Sequence, residues 1–416
     1  MIPRKDTASL VEQAAKHTLS ILLGSRQVGK STLLGMIQAE LGTPADVYNL
    51  ENPLHLALFN EGYTSFIRQV RHKLVFIDEF QYCKNISSVF KAIFDLNPDI
   101  KVYASGSSSL EIQAHLKESL AGRKRETIIY PLSYAEWLAG TVPALSELPL
   151  AGVTTQVDDL AAYRNHLDTF LRFGAMPGIV AMTDEIEKRE YLSGIYRTYI
   201  AKDIKSFLND ESVLSFNKMI SWLSLNNGSQ LNKNNLAMVA GVSARQVDRY
   251  LDVLQGTYVL ALVPPHSTNK SKELVRTNKY YLYDQGVINA IVQDFRPPAL
   301  RPDAGMIREA FVYWELRKTV DIRYSIHYWR TADGKEVDFV LERDRMLLPV
   351  EVKSSWKTGK LPPGIKHFFN YYPETLVAVV LYDGAEATVV HEGRRIYFEP
   401  LYKASRIPAL LDGVRY

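Results

Sequence analysis

An eight-residue segment near the start of the chain limits most strongly what the chain can fold into. Its sequence, GSRQVGKS, matches G-x-x-x-x-G-K-[ST] in full and lies between an apolar strand candidate, Leu19–Leu23, and a helical pattern. The two glycines let the backbone N–H groups fold inward, and the helix start adds its positive dipole end. Lys30 is expected to contact the β- and γ-phosphates of ATP, and Ser31 to ligate magnesium. The predicted phosphate-binding residues are Gly24, Ser25, Arg26, Gln27, Val28, Gly29, Lys30, Ser31 and Thr32.

A second motif places two acids at the end of the strand candidate Leu74–Asp78. Ligands bind at the carboxyl ends of strands in open α/β sheets, so Asp78 is expected to hold magnesium and Glu79 to polarise the attacking water. Another strand candidate, Val47–Leu50, separates the two motifs, so Asp78 need not lie on the strand beside the loop. This order favours the additional-strand class of ATPases over small GTPases.

Two further positions could contact the transferred phosphoryl group. The strand candidate Ile100–Ala104 is followed by serines, of which Ser107 is the first choice and Ser105 the second; the alternative is a serine that caps a helix. Arg123 could stabilise the phosphoryl group in its own chain or in a neighbouring subunit. The alternative for Arg123 is a solvated basic run, because two more basic residues follow it.

The middle of the chain predicts a helix-turn-helix followed by a hairpin. Asn235–Ala240 and Ala244–Gln255 are helical patterns on either side of a glycine turn, and Tyr258–Val263 would pair with Tyr280–Tyr283. This is the pattern of a winged helix, either one that binds the DNA backbone or one that serves only packing and oligomerisation. The polar and basic side chains predicted to face outward are Arg245, Gln246, Arg249, Lys270, Lys272, Arg276 and Lys279.

These motifs resemble those of the bacterial and archaeal AAA-type ATPases that carry a C-terminal restriction-endonuclease-like domain. The resemblance covers nearly the whole chain. Its segments are the phosphate loop, Val75–Gln81, Gly106–Ser108, Gly122–Arg123 with Pro131–Ser133, Phe173–Gly178, Gly241–Ser243 and a C-terminal acidic motif. Family members usually have proline before the loop arginine, and many have threonine at position 31; this chain has Ser25 and Ser31. Neither change removes nucleotide binding, since both hydroxyls ligate magnesium.

The C-terminal acidic motif lies on two strand candidates whose charged residues share one face, because side chains alternate with a period of two. An aspartate on one strand followed by E-x-K on the next is the core of restriction-endonuclease-like sites. The family pattern implies a second divalent metal, Mg²⁺ or Mn²⁺, with a lysine that activates water. The helix before the strands could add a glutamate, Glu309 or less favourably Glu315. The predicted set is Glu309, Asp338, Glu351 and Lys353. The alternatives are exposed charges on amphipathic strands, or a nuclease fold that binds DNA without cutting.

The fold class expected from these patterns is α/β, in three parts. These are a P-loop AAA-type domain at 1–155 with a parallel sheet between helices, a helical region with a winged helix at 156–270, and an α+β restriction-endonuclease-like domain at 271–416. One cysteine, Cys83, excludes an intrachain disulfide and fits a reducing cytoplasm. We expect neither a secretory signal nor a membrane span.

Two functions follow from these expectations. The first is ATP hydrolysis coupled, through the winged helix, to binding or processing of double-stranded DNA. The second is a nucleotide-dependent protein-interaction switch whose nuclease-like domain is an inactive platform. The net charge of +3 neither requires nor excludes nucleic acid, and a homo-oligomer or a protein partner fits both functions. The intact Asp338, Glu351 and Lys353 favour the first, because a platform does not need them.

Overall fold

The computed structural model describes residues 1–107, 120–199, 210–267 and 277–412. Its helices and strands, numbered here in chain order, are α1 (Asp6–Glu12), β1 (Leu19–Leu23), α2 (Lys30–Leu41), β2 (Asp46–Asn49), α3 (Pro53–Asn60), α4 (Tyr63–Gln69), β3 (Leu74–Asp78), α5 (Ile86–Leu96), β4 (Lys101–Gly106), β5 (Lys124–Ile128), α6 (Tyr134–Thr141), α7 (Val157–Phe173), α8 (Glu185–Tyr199), α9 (Asp210–Leu225), α10 (Lys233–Ala240), α11 (Ala244–Gly256), β6 (Leu260–Val263), β7 (Lys279–Leu282), α12 (Gln285–Val292), α13 (Ala304–Thr319), β8 (Tyr324–Arg330), β9 (Glu336–Arg343), β10 (Met346–Val352), α14 (Pro363–Tyr371), β11 (Val377–Tyr382), β12 (Ala387–His391), β13 (Arg394–Pro400) and α15 (Ala409–Asp412). Among the described residues, no helix is both long and apolar enough to cross a bilayer.

The N-terminal sheet has five strands in the order β2-β3-β4-β1-β5, and all of its neighbouring strands are parallel. Its central strands are short, apolar and buried, because helices cover both faces: α2 packs on one face and α3 to α5 on the other. Since β4 lies between β1 and β3, Asp78 is not on the strand beside the phosphate loop. This is the strand order expected for the additional-strand class.

In the middle region, α10 and α11 are joined at Gly241, whose φ of +68° ends the first helix in a left-handed turn. Ser243 then caps α11 by accepting the Gln246 N–H at 3.2 Å. Strand β6 precedes residue 270, the predicted domain boundary, and strand β7 follows it, yet the two strands pair with each other in antiparallel fashion. A domain boundary at 270 would separate these hydrogen-bonded strands, so β7 belongs with the hairpin.

The C-terminal sheet has six strands in the order β12-β13-β11-β10-β9-β8. It is mixed: β10, β11 and β13 run parallel to one another, and the other neighbouring pairs are antiparallel. The buried residues of α13 belong to the same apolar core as one face of this sheet, and those of α14 pack with the other face. Together these elements form the α+β arrangement expected for this end of the chain.

One apolar core joins the three regions. It runs from Leu22 on one face of the N-terminal sheet, through Phe170 and Phe311 on helices α7 and α13, to Val350 in the C-terminal sheet. Burial of each such side chain is worth roughly 1.5–3 kcal/mol, so cutting the chain within this core would expose many apolar groups at once. The regions are therefore best tested in the full chain.

Candidate nucleotide site and a second carboxylate site

The phosphate loop connects β1 to α2 through a tightly folded backbone. Gly24 and Gly29 have φ of +157° and +92°, and a Cβ on Gly24 would lie 2.3 Å from the Ile129 carbonyl oxygen. Only glycine fits at position 24. Lys30 is buried, and its Nζ donates to the carbonyl oxygens of Gly24 at 3.0 Å and Ser25 at 2.8 Å. The loop therefore surrounds the lysine ammonium, which is the arrangement that phosphate binding requires.

Arg4 holds the phosphate loop on the side away from the nucleotide site, although nothing in the sequence pattern singled this residue out. Its guanidinium donates to the carbonyl oxygens of Val28 and Tyr130, both at 2.8 Å, and pairs with Glu136 at 3.2 Å. Although burial opposes ionisation of Glu136, Arg4 and two backbone N–H groups hold the pKa of that carboxyl below its usual range. A single basic residue before the first helix carries no pattern that would predict this contact.

Strand register brings Asp78 to the loop edge of the sheet. Ile77 aligns with Ala104, and Ala104 with Ile21, so Asp78 lies level with the residues that directly precede the loop. The Ser105 hydroxyl donates to the Asp78 carboxylate. Ser105, the second choice in the sequence analysis, thus contacts Asp78, the aspartate that is predicted to hold magnesium. A role of either serine toward the γ-phosphate stays a prediction.

Glu79 and Ser107 are both held by Gln81, a residue to which the sequence pattern assigned no role of its own. The Gln81 amide donates to the Glu79 carboxylate and accepts the backbone N–H of Ser107 at 3.1 Å. Glu79 itself has a φ of +56°, a left-handed conformation that is uncommon outside glycine and often occurs at functional sites. The geometry thus fixes the carboxylate that we predict to polarise water.

Arg123 lies at the amino-terminal end of the parallel strands, whereas the phosphate loop lies at their carboxyl end. It directly precedes β5, and Leu19 at the start of β1 donates its N–H to the Arg123 carbonyl at 2.9 Å. The five residues of β1 separate this point from Gly24 by roughly 16 Å. The guanidinium pairs with Asp95 at 2.8 Å and is about one third exposed. Catalysis by Arg123 in its own chain, one of the two routes considered, is therefore wrong; action on a neighbouring subunit stays a prediction.

We expect Glu79→Gln to bind ATP normally but to hydrolyse it roughly 10²- to 10⁴-fold more slowly, because Asp78 is intact while the base is lost. Nucleotide affinity by calorimetry and single-turnover phosphate release separate the two effects. The exposed Glu61 of the same domain provides the matched control Glu61→Gln. If Glu79→Gln also lost ATP binding, the assignment of separate roles to Asp78 and Glu79 would be wrong.

A second site forms where α13, β9 and β10 meet. Glu309 lies on α13, Asp338 on β9 and Glu351 on β10, and Lys353 follows directly after β10. Lys353 Nζ donates to Glu351 Oε1 at 2.5 Å, and the N–H of Val352 donates to Asp338 Oδ2 at 2.8 Å. The structure therefore brings together the four residues predicted from the sequence.

The carboxylates of this second site disfavour one another's ionisation. Burial, then the charges of Glu351 and Glu309, raise the pKa of Asp338 well above its usual range. Burial also raises the pKa of Glu351, although Lys353 opposes this. Glu351 Oε2 is buried and has no hydrogen-bond partner among the described residues. A divalent cation would neutralise the carboxylates and bind that oxygen, so these residues fit the predicted metal.

Lys279 is part of this second site and not of a basic wing. Its Nζ lies 2.8 Å from Glu309 Oε1 and 2.5 Å from Glu336 Oε1, and the side chain is buried. Although burial opposes the charge, Glu309, Asp338 and Glu336 raise the pKa of Lys279. The prediction that Lys279 faces outward in a basic wing is wrong, because β7 turns it toward the carboxylates. The other predicted wing residues, Lys270, Lys272 and Arg276, lie outside the described residues.

Glu315 does not join the carboxylates. It is buried on α13, accepts the N–H of Tyr134 at 3.1 Å and lies 3.4 Å from Lys318 Nζ. Burial raises the pKa of Glu315 despite the neighbouring lysine. Lys318 also donates to the Leu132 carbonyl at 2.7 Å. The less favoured ligand candidate therefore ties α13 to the N-terminal region instead.

A parallel sheet with a complete phosphate loop, an acid at the carboxyl end of a separate strand, and a strand inserted between the two define a P-loop ATPase domain. Residues 16–138 match a family model described as AAA domain. The N-terminal region is thus an AAA-type P-loop ATPase-like domain, which supports ATP binding and hydrolysis. The fold implies ATP with magnesium as its ligand.

The rest of the chain matches models without an assigned function. Residues 164–297 match a domain of unknown function, DUF8612, and residues 304–402 match another, DUF4143. An uncharacterized protein of Haemophilus influenzae is 26% identical over 417 residues, covering 93% of this chain and 95% of the relative. One from Mycobacterium tuberculosis is 24% identical over 359 residues, covering 85% and 74%.

Solved structures are more distant. The Thermotoga maritima RuvB Holliday junction branch migration motor is 19% identical, covers 66% of this chain and 95% of its own, and has a TM-score of 0.33. At that TM-score the likeness carries no weight for the fold or the function of this chain.

Proposed function

We propose that this protein couples ATP hydrolysis in the AAA-type domain to the binding and metal-dependent cleavage of double-stranded DNA by the C-terminal domain. The observation that carries the proposal is the meeting of Glu309, Asp338, Glu351 and Lys353 at one point, with the pKa values of both Asp338 and Glu351 raised. Carboxylates that resist ionisation together favour a divalent cation, and an adjacent lysine suits hydrolysis more than metal storage.

One helix offers the physical link between the two sites. Near its start, α13 carries Glu309 of the carboxylate site; further along, Glu315 and Lys318 bond to the backbone of residues 132 and 134. That segment leads into α6, whose Glu136 holds Arg4 behind the phosphate loop. A shift of the loop on nucleotide exchange therefore has a bonded route to the carboxylates. This supports coupling through a rigid element that both sites contact.

DNA contact is supported by the helix that would enter a groove in a winged helix. Arg245 and Arg249 are both exposed on α11, on the side away from the buried Val247 and Tyr250. The antiparallel strands β6 and β7 follow, as a wing would require. Their positive charge supports a contact with the DNA backbone.

Lys279 favours the second candidate, a nucleotide-dependent protein-interaction switch with an inactive platform. Its ammonium already lies between Glu309 and Glu336 at 2.8 and 2.5 Å, so a resident cation partly neutralises the carboxylates. The two candidates differ in whether a metal adds to this lysine. Neighbouring subunits fit both, and Arg123 acting on a neighbour would need them.

Cleavage of supercoiled plasmid by the full-length protein tests the proposal. With Mn²⁺ or Mg²⁺ and ATP we expect nicking, because the metal supplies the charge and the activated water. Glu351→Gln should lose nicking and keep ATP hydrolysis. Lys30→Ala should leave the carboxylate site intact, but ATP should no longer change the nicking by this variant.

A matched control is Glu374→Gln, an exposed glutamate of the same domain, which should cut like the wild type. Nicking that survives Glu351→Gln would come from a contaminant. If the wild type hydrolysed ATP but cut no DNA with either metal, the interaction switch would become the better account.

A further inference from the structure

We propose a zinc site formed by His266, His327 and Glu342, separate from the carboxylate site. One ligand atom of each of the three residues lies within 4.8 Å of the other two. His266 Nδ1 is 3.6 Å and His327 Nε2 3.7 Å from Glu342 Oε2. Ligand atoms bound to one tetrahedral zinc at about 2.0–2.1 Å stand about 3.3 Å apart, so small side-chain movements close this site.

The backbone holds the three ligands at fixed points. On the paired strands β8 and β9, Ser325 aligns with Glu342 and His327 with Val340, so His327 and Glu342 are diagonal neighbours on one face. His266 follows β6, and its N–H donates to the Tyr328 carbonyl at 2.6 Å. The segment carrying His266 is thereby pinned along strand β8.

The chemistry of the donors selects the ion. Two imidazoles and one carboxylate suit zinc, whereas magnesium and calcium prefer oxygen ligands alone. Both histidines are buried, with 5% exposure each, and two protonated imidazoles beside one carboxylate would leave a net buried charge. A zinc ion with neutral imidazoles avoids that repulsion. Glu342 is four residues from Asp338 along β9, about 13 Å, so the two sites are distinct.

The position of the site indicates a structural role. His266 belongs to the segment that leaves β6, while His327 and Glu342 belong to the C-terminal sheet. The ring of Tyr372 packs 5.1 Å from that of His266 and covers the site further. A zinc ion here would fasten the hairpin module to the strand β8 and leave a fourth coordination position for water or the Ser325 hydroxyl, which is 2.9 Å from His327 Nε2.

The full-length protein, loaded with zinc and dialysed, tests the site through metal content by mass spectrometry. We expect about one zinc per chain. His327→Gln and Glu342→Gln should each lose more than the roughly 10- to 100-fold in affinity that removal of an outer partner causes. His367→Gln, a histidine of the same domain outside the cluster, is the matched control and should keep the zinc, as should Asp338→Asn.

Cobalt provides a second readout that does not depend on variants. Co²⁺ added to the metal-free wild type should give the visible absorption of a four-coordinate site, and zinc should abolish it. Zinc content in the wild type no higher than in His327→Gln would overturn the proposal.

Discussion

Lys30→Ala is expected to lower the rate of ATP hydrolysis by roughly 10²- to 10³-fold or more, and to weaken nucleotide binding. In the structure, the ammonium lies inside the loop and donates to two of its carbonyl oxygens at 3.0 and 2.8 Å. Once phosphate occupies the loop, that charge is the group that compensates the β- and γ-phosphates. Phosphate release under saturating ATP measures the rate, and calorimetry the affinity.

Because Lys30 also bonds the loop, its loss could disturb the fold locally. Lys84→Ala, an exposed lysine of the same domain, is the matched control, and thermal melting of both variants without nucleotide reports any structural damage. A Lys30→Ala protein that melts like the wild type and still turns over ATP at the wild-type rate would show that this loop is not the hydrolytic site.

Asp338→Asn is expected to stabilise the metal-free protein at neutral pH while it removes the stabilisation by Mn²⁺. Asparagine keeps the acceptor oxygen for the Val352 N–H but removes a charge that burial, Glu351 and Glu309 oppose. Removing a destabilising charge of this kind from a functional site typically raises the free energy of unfolding by about 1 kcal/mol. Denaturant unfolding with and without Mn²⁺, at fixed protein concentration, measures both effects.

The pH dependence of this difference follows from the direction of the shift. The pKa of Asp338 is raised in the folded state, so its favourable contribution is complete below about pH 4, the value in the unfolded chain, and is lost as pH rises through the folded pKa. The advantage of Asp338→Asn over the wild type should therefore be small near pH 4 and grow toward pH 8.

The exposed Asp344 at the turn after β9 offers the matched control Asp344→Asn, which should show neither the gain nor the pH trend. If Mn²⁺ raised the free energy of unfolding of the wild type and of Asp338→Asn by the same amount, the metal would bind elsewhere. An Asp338→Asn variant less stable than the wild type at pH 8 would mean that the carboxylate is already neutralised, with Lys279 as the neighbouring cation.

The carboxylate site also shows what local pattern can and cannot predict. The two-residue period of a strand places Asp338 on one face of β9 and Glu351 on one face of β10, with Lys353 directly after that strand, and the adjacent strands then bring these faces together. Lys279 enters the same site from a strand nearly sixty positions earlier in the chain. No spacing rule connects it to Glu309 or Glu336, so sequence reasoning placed it in a wing.

The sequence by itself determined the phosphate loop, the two acids at the end of β3 and the alternation of strands and helices, because each depends on residues that are near neighbours along the chain. The tertiary structure alone decided how distant segments meet. It showed that Arg4 holds the phosphate loop and that Gln81 holds Glu79, the predicted base. It also showed that Arg123 lies at the end of the sheet opposite the loop. Contacts between segments many residues apart leave no local pattern, since they arise only when one shared core fixes where each element packs.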